Sequence, residues 1–240
     1  MTIDNKWKSN NEMPIIQHLE ELRQRIILSL LVFIIITSIC FWEIKSIIYL
    51  LQQPAIGIKF LQLAPGEYLF SSIKVACYSG FLLSMPFTIF QTISFILPGL
   101  TYKEKSYFIP ITICSIILFF LGLFFSYKIL VPAAINFFIN YGSDIIEPIW
   151  SLEEYFNFIL LLLFSTGVSF QIPIIQILLG LSNIISSNTM IMYWQYIIFG
   201  ATILGAIITP STDPITQIFT SLAIILLYFC GCFILKLLKK

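Results

Sequence analysis

The stretch of sequence that decides the fold is residues 26–44, IILSLLVFIIITSICFWEI, in which no charged side chain occurs before Glu43. An α-helix rises about 1.5 Å per residue, so about 20 apolar residues cross the hydrocarbon core of a bilayer. Backbone N–H and C=O groups find no water at that depth and must pair within the segment. This run therefore predicts a membrane-spanning helix.

Five more apolar runs follow the first. Hydrophobic residues make up 58% of the chain and charged residues 10%, whereas a soluble domain carries about 25% charged residues. The mean hydropathy is +0.95. We predict an all-α integral membrane protein: an inner-face segment with an amphipathic lead-in at residues 1–25, a six-helix transmembrane bundle at 26–235 and a basic tail at 236–240. The predicted spans are 26–44, 69–97, 106–131, 154–180, 191–208 and 215–235.

The distribution of basic residues predicts the orientation. Cytoplasmic loops of membrane proteins carry an excess of Lys and Arg. If the N-terminus is inside, the inner segments hold Lys6, Lys8, Arg23, Arg25, Lys103, Lys105, Lys236, Lys239 and Lys240, and the outer segments hold Lys45, Lys59 and Lys128. We therefore predict that both ends lie on the cytoplasm-like side.

Several functional classes find no support in the composition. The net charge is +1 with no basic block, so nucleic-acid binding has no electrostatic basis. The single histidine, His18, precedes the first span, so a serine within the membrane would have no histidine base. The spans hold no set of His, Asp and Glu at metal-ligand spacing. We expect no metal, no cofactor and no enzymatic activity.

The segment HLEELRQR, residues 18–25, places two acids, two arginines and the only histidine directly before the first span. Glu21 and Arg25 are four residues apart and can form an ordinary intrahelical ion pair. The density of charge beside the bilayer favours a binding role instead. Both interpretations remain open from the residues alone.

A second charged cluster, Tyr102-Lys103-Glu104-Lys105, lies between the second and third spans. Glu104 is an acid on a membrane face that favours bases. It is either a solvated loop charge or part of a binding site. A planar guanidinium pairs bidentately with a carboxylate, so two such acids could hold two arginines.

The string HLEELRQR resembles the N-terminal signature of TatC, the polytopic subunit of the twin-arginine protein translocase. The resemblance extends over nearly the whole chain. It is carried further by Ser84-Met85-Pro86, Gln91, Phe95, Pro98, Tyr102-Lys103, Glu104, Pro110, Leu130-Val131-Pro132, Gly167-Val168-Ser169-Phe170, Pro173, Thr209-Pro210, Asp213 and Gln217.

The resemblance implies a glove-shaped bundle that binds twin-arginine precursor proteins at its inner face. Folded proteins would cross the bilayer on the proton-motive force. Single-span TatA-type and TatB-type subunits would dock on its flank, and the chain would be homo-oligomeric in the complex. The implied signal-peptide site comprises Glu21, Glu104, Arg23, Lys103 and Phe95, and the implied docking positions are Gln171, Thr209 and Gln217.

One departure concerns the fourth span. Many bacterial members have Glu where this chain has Gln171, which is similar to the thylakoid-type pattern. We predict that Gln171 faces an acid on a partner helix, because its run has few other polar groups; satisfaction within the bundle is the alternative. Abundant Ile, Phe, Asn and Lys favour a plastid membrane, thylakoid or other, with a cyanobacterial or bacterial inner membrane as the alternative.

The competing function is a small secondary transporter. Such a protein would use Gln171, Gln176 and the proline-bent helices as a substrate path. It would usually place ionisable groups at the membrane midplane, and the spans here offer chiefly glutamines.

Overall fold

A computed structural model describes residues 15–96, 104–142, 149–182, 184–208 and 214–237. Its α-helices are α1 (Ile15–Trp42), α2 (Ile44–Gln52), α3 (Glu67–Ile96), α4 (Phe108–Phe125), α5 (Val131–Gly142), α6 (Leu152–Ser169), α7 (Ile172–Leu181), α8 (Ser187–Met192), α9 (Trp194–Ile208) and α10 (Pro214–Leu237). Two short strands are β1 (Lys59–Leu61) and β2 (Ile149–Ser151).

These helices form six apolar crossings, which confirms the predicted six-helix membrane bundle. Five are long and apolar enough to span a bilayer by themselves: Ile16–Trp42, Glu67–Ile96, Phe108–Tyr141, Leu152–Leu181 and Pro214–Leu237. The sixth, Trp194–Ile207, is apolar but shorter. Residues 15–25 of the predicted lead-in and the first span form one continuous helix, α1.

Two of the crossings are interrupted. Between α4 and α5 the chain forms a π-helix at Ser126–Leu130, and the crossing continues well beyond the predicted end at residue 131. Between α6 and α7 the helix breaks at Phe170 and Gln171, just before Pro173. Proline lacks a backbone N–H and its ring clashes with the preceding turn, so Pro173 accounts for this break.

Both ends of the described chain lie at the same end of the bundle. Arg25, near the start of α1, bonds to Gln91, near the end of α3. Residues from the end of α3, the start of α4 and the ends of α7 and α10 share one apolar cluster, including Ile93, Ile111, Leu181 and Leu235. We call this end, where α1 begins and α10 finishes, the inner end. The opposite end is the outer end.

The outer end is closed by an outer cap that the hydropathy pattern does not predict. It consists of α2, a 3₁₀ turn at Gln53–Ala55 and the parallel pair of β1 and β2, with Phe60 opposite Trp150. Helix α2 buries Ile48 and Leu51. Tyr155 and Tyr127 donate hydrogen bonds to the carbonyls of Leu51 and Leu50 over 2.8 and 2.7 Å. The tyrosines thus attach the cap to the spans.

Two acidic residues join α3 to α6 at this outer end. The carboxylate of Glu67 accepts hydrogen bonds from the Ser151 hydroxyl and the Glu153 backbone N–H over 3.1 and 3.2 Å. Lys74 of α3 donates to Glu153 and Asn157 over 3.0 and 2.8 Å. The outer end is therefore braced by polar contacts between α3 and α6.

Candidate functional site at the inner end

The predicted recognition residue Glu21 lies at the contact between α1 and α3. Arg25 donates from Nε and Nη2 to Glu21 Oε1 over 2.9 and 2.6 Å. Its Nη1 donates to Oε1 of Gln91 over 2.8 Å. The intrahelical pair considered from the sequence is therefore present. It is also part of a three-residue bridge, because the same guanidinium reaches the facing helix.

The second carboxylate oxygen of Glu21 has no donor among the described residues. Within the part of the chain that the structure describes, Oε2 is enclosed by protein and has no hydrogen-bond partner. The basic atom His18 Nδ1 lies 3.9 Å away, which is too far for a hydrogen bond. A buried carboxylate oxygen without a donor is costly. Glu21 is thus an acceptor that a ligand's N–H group could satisfy.

Two aromatic rings lie beside this carboxylate. His18 stacks on Phe95 with ring centroids 4.2 Å apart and planes 13° apart. His18, Glu21 and Arg25 are three and four residues apart, so they share one face of α1; Gln91 and Phe95 share a face of α3 in the same way. The two faces meet, which explains why residues about 70 positions apart in sequence form one site.

A groove of about 380 Å³ runs between α1 and α3 from this bridge into the membrane-spanning region. Its walls are mainly apolar and include Leu22, Ile26 and Phe33, with Ser84 and Thr88 as polar groups. Arg25, Gln91 and Phe95 line it as well. The arrangement can hold a cationic group at Glu21 and apolar side chains next to it.

The other predicted recognition residues are placed less completely. Arg23 is exposed on α1. Lys103 lies outside the described residues. The backbone of Glu104 opens a 3₁₀ turn, Glu104–Tyr107, which leads into α4 at the inner end, and its side chain lies outside the described set. The structure therefore brings Glu21 and Phe95 together and leaves the predicted second acid untested.

The predicted docking residue Gln171 bonds within the chain. It sits at the break between α6 and α7, where its Oε1 accepts from the Ser115 hydroxyl and its Nε2 donates to the Ser115 carbonyl over 3.1 Å. This intrachain pairing removes the argument that the amide needs a partner acid. Docking at Gln171 stays a prediction, now without that support.

The remaining docking residues lie on or before α10. Thr209 lies outside the described residues. Gln217 is partly exposed on the first turns of α10, and its backbone carbonyl accepts a hydrogen bond from Thr220 over 3.0 Å. Its side chain remains a candidate contact for another helix in the membrane.

The sequence interpretation missed Gln91 as a site residue. Gln91 is named from the sequence only among the residues that resemble TatC. An amide side chain in an apolar span nevertheless requires a hydrogen-bond partner. The charged segment at residues 18–25 lies at the same membrane face and offers such partners, so Gln91 could have been predicted as a site residue. Among the described residues, no group of three or more His, Cys, Asp or Glu side chains could hold a metal ion.

Comparison with known families agrees with the sequence resemblance. A family model described as Sec-independent protein translocase protein (TatC) matches residues 17–234. The chain belongs to the TatC family. It is a multi-pass membrane protein and a core subunit of the twin-arginine translocase. Members of this family work with TatA and TatB and are translocase components rather than enzymes.

Plastid and cyanobacterial proteins are among its relatives. A tatC-like protein, ycf43, of Gracilaria tenuistipitata var. liui is 67% identical over 96% of this chain and 97% of its own length. The TatC protein of Synechocystis sp. is 50% identical over 95% of this chain and 90% of its own length. The chloroplastic TATC protein of Oryza sativa subsp. japonica is 46% identical over 95% of this chain and 64% of its own length.

A solved structure has the same fold. A crystal structure of the twin-arginine translocase receptor TatC superposes with a TM-score of 0.82 at 33% identity, covering 93% of this chain and all of that chain. Family and fold together decide against the secondary-transporter alternative.

Proposed function

We propose that the inner end of this chain recognises twin-arginine signal peptides through the carboxylates of Glu21 and Glu104. The observation that supports this most directly is the Glu21 carboxylate. One of its oxygens is held by Arg25, which lines the apolar groove, and the other is enclosed among the described residues without a hydrogen-bond donor. An arginine side chain carries five N–H donors and remains charged at any physiological pH. Oε2 is suited to accept from such a donor.

Glu104 supplies the second acid of this proposal. Its backbone lies at the inner end, in the turn that follows α3 and precedes α4. A pair of adjacent arginines would then meet two carboxylates, one contributed by α1 and one by this turn. Each charge-assisted contact between a guanidinium and a carboxylate contributes about 1.5–3 kcal/mol.

The neighbouring residues fit supporting roles in the same proposal. Arg23 and Lys103 would adjust the electrostatic field at the acids and limit binding of peptides with excess positive charge. Phe95 would offer an apolar surface to the residues next to the arginines, because its ring lines the groove. The protein with the matching crystal structure is a twin-arginine translocase receptor, and this likeness supports a receptor role here.

The partner surface is the second part of the proposal. Single-span TatA-type and TatB-type subunits would contact the membrane-exposed flank near Gln171, Thr209 and Gln217. Several copies of the chain would assemble in one complex. Folded precursor proteins would then cross the bilayer, driven by the proton-motive force.

The test is the binding of a fluorescent twin-arginine peptide to the purified chain in nanodiscs. We expect Glu21→Gln and Glu104→Gln each to weaken binding about tenfold or more, since each removes a charge-assisted contact of about 1.5–3 kcal/mol. The double variant should show no measurable binding. Glu20→Gln is the matched control, because Glu20 is an exposed neighbour on α1. Wild-type affinity in the double variant would contradict the proposal.

A further inference from the structure

We infer that Arg25 and Gln91 are positioning residues that make the Glu21 carboxylate select arginine over lysine. This inference rests on the proposed function, because it concerns how the same carboxylate discriminates between cations. It assigns to these two side chains a role that is exerted through Glu21.

The Arg25 guanidinium is held by hydrogen bonds to two helices. Three of its N–H-bearing nitrogens are engaged: Nε and Nη2 with Glu21 and Nη1 with Gln91. The guanidinium is therefore hydrogen-bonded to both α1 and α3. A single ion pair on one helix face would leave it free to rotate. The amide of Gln91 removes that freedom from the facing helix.

The hydrogen bonds from Arg25 also restrict the orientation of the Glu21 carboxylate. Both bonds from Arg25 reach the same oxygen, Oε1, so they fix the plane of the carboxylate and leave Oε2 without a donor among the described residues. The two side chains are about three-quarters enclosed, with exposed fractions of 23% for Glu21 and 24% for Arg25. Limited access of water weakens the competition for these bonds. The carboxylate is thus held in one orientation before any ligand arrives.

The arginine guanidinium and the lysine ammonium differ in how strongly they depend on the orientation of an acceptor. A guanidinium is planar with donors in fixed directions, so it gains most from an acceptor that is already oriented. An ammonium is a compact charge with three rotating donors and depends far less on the orientation of the acceptor. A fixed carboxylate therefore favours arginine, whereas a rotating one attracts both cations.

The experiment compares the affinities of a twin-arginine peptide and its twin-lysine counterpart for the full chain in nanodiscs. In Gln91→Leu, we expect the preference for arginine to fall about tenfold while the affinity for the lysine peptide changes less than about twofold. Gln91→Glu keeps an oxygen acceptor for Arg25 and should restore the preference. Gln24→Leu is the matched control, since Gln24 is exposed on α1.

Arg25→Lys provides a second variant in case Gln91→Leu does not fold. It keeps the charge, loses the planar fork and should also reduce the preference. Equal losses for both peptides in Gln91→Leu, or an unchanged preference in either variant, would overturn the inference. If Glu21→Gln binds the arginine peptide as well as the wild type does, the proposed function itself fails.

Discussion

The paired hydrogen bonds between Gln171 and Ser115 connect α4 to the break between α6 and α7. We predict that Gln171→Leu lowers stability by about 0.6–1.7 kcal/mol, the range measured for polar contacts between membrane helices. A double-mutant cycle with Ser115→Ala, read from unfolding in bicelles, measures the coupling of the two side chains. Additive effects would show that the bond between the Ser115 hydroxyl and the Gln171 amide oxygen does not stabilise the fold.

A docking role for Gln171 has a separate test. A cysteine at position 171, in a variant without the native cysteines, should form a disulfide with a cysteine on a TatA-type helix if the two meet in the membrane. Crosslinks confined to this chain, with transport unaffected by Gln171→Leu, would rule out docking at this residue.

Single residues were predictable to different degrees. Glu21 stands out from the sequence because an acid beside a membrane is unusual and lies within a dense charge cluster. The bond between Arg25 and Gln91 was not predictable, because it depends on how far α1 and α3 overlap along their length. Ser115 was missed as the partner of Gln171 for the same reason: a serine in an apolar run normally bonds to its own helix.

The packing of α1 depends on a close approach to α3. A Cβ atom on Gly80 would lie 2.7 Å from the Cα of Thr37, so only glycine permits this distance. We predict that Gly80→Ala separates the two helices at a cost of about 1–3 kcal/mol. The measurement is the unfolding midpoint in detergent, together with the binding of the twin-arginine peptide.

Gly200 of α9 is the matched control for this change. A Cβ there would meet nothing within 4 Å, and alanine is the better helix former by about 1 kcal/mol. Gly200→Ala should therefore leave the midpoint unchanged or raise it. Equal effects of the two substitutions would show that the approach at Gly80 is not needed for packing.

At the level of elements, the apolar runs were sufficient to find all six crossings. The outer cap was not predictable, since α2 and the two strands are too short for a periodic pattern to identify. Its polar attachments join residues far apart in sequence, such as Glu67 and Ser151. The extension of the third crossing through a π-helix also escaped detection, because Lys128 and Pro132 resemble the signals that end a helix.

For the whole molecule, the orientation in the membrane remains a prediction. The fold puts both described ends on one side, and the distribution of Lys and Arg predicts that this side is the cytoplasm-like one. In a chain without its five native cysteines, a cysteine introduced at Gln24 should react with a membrane-impermeant reagent from the inner side only. A cysteine at Gln62, exposed near the outer cap, should react only from the outer side. Labelling of both positions from the same side would contradict the topology.

In the proposed function, the inner end between α1 and α3 captures the paired arginines of a signal peptide. The most direct measurement is photo-crosslinking from a photoreactive residue placed next to the arginine pair, followed by mass-spectrometric mapping on the wild-type chain. We predict crosslinks within residues 18–25 and 91–95, reduced in the variant Glu21→Gln. Crosslinks concentrated in the outer cap, residues 44–61 and 149–151, or crosslinks unchanged in that variant, would contradict this proposal.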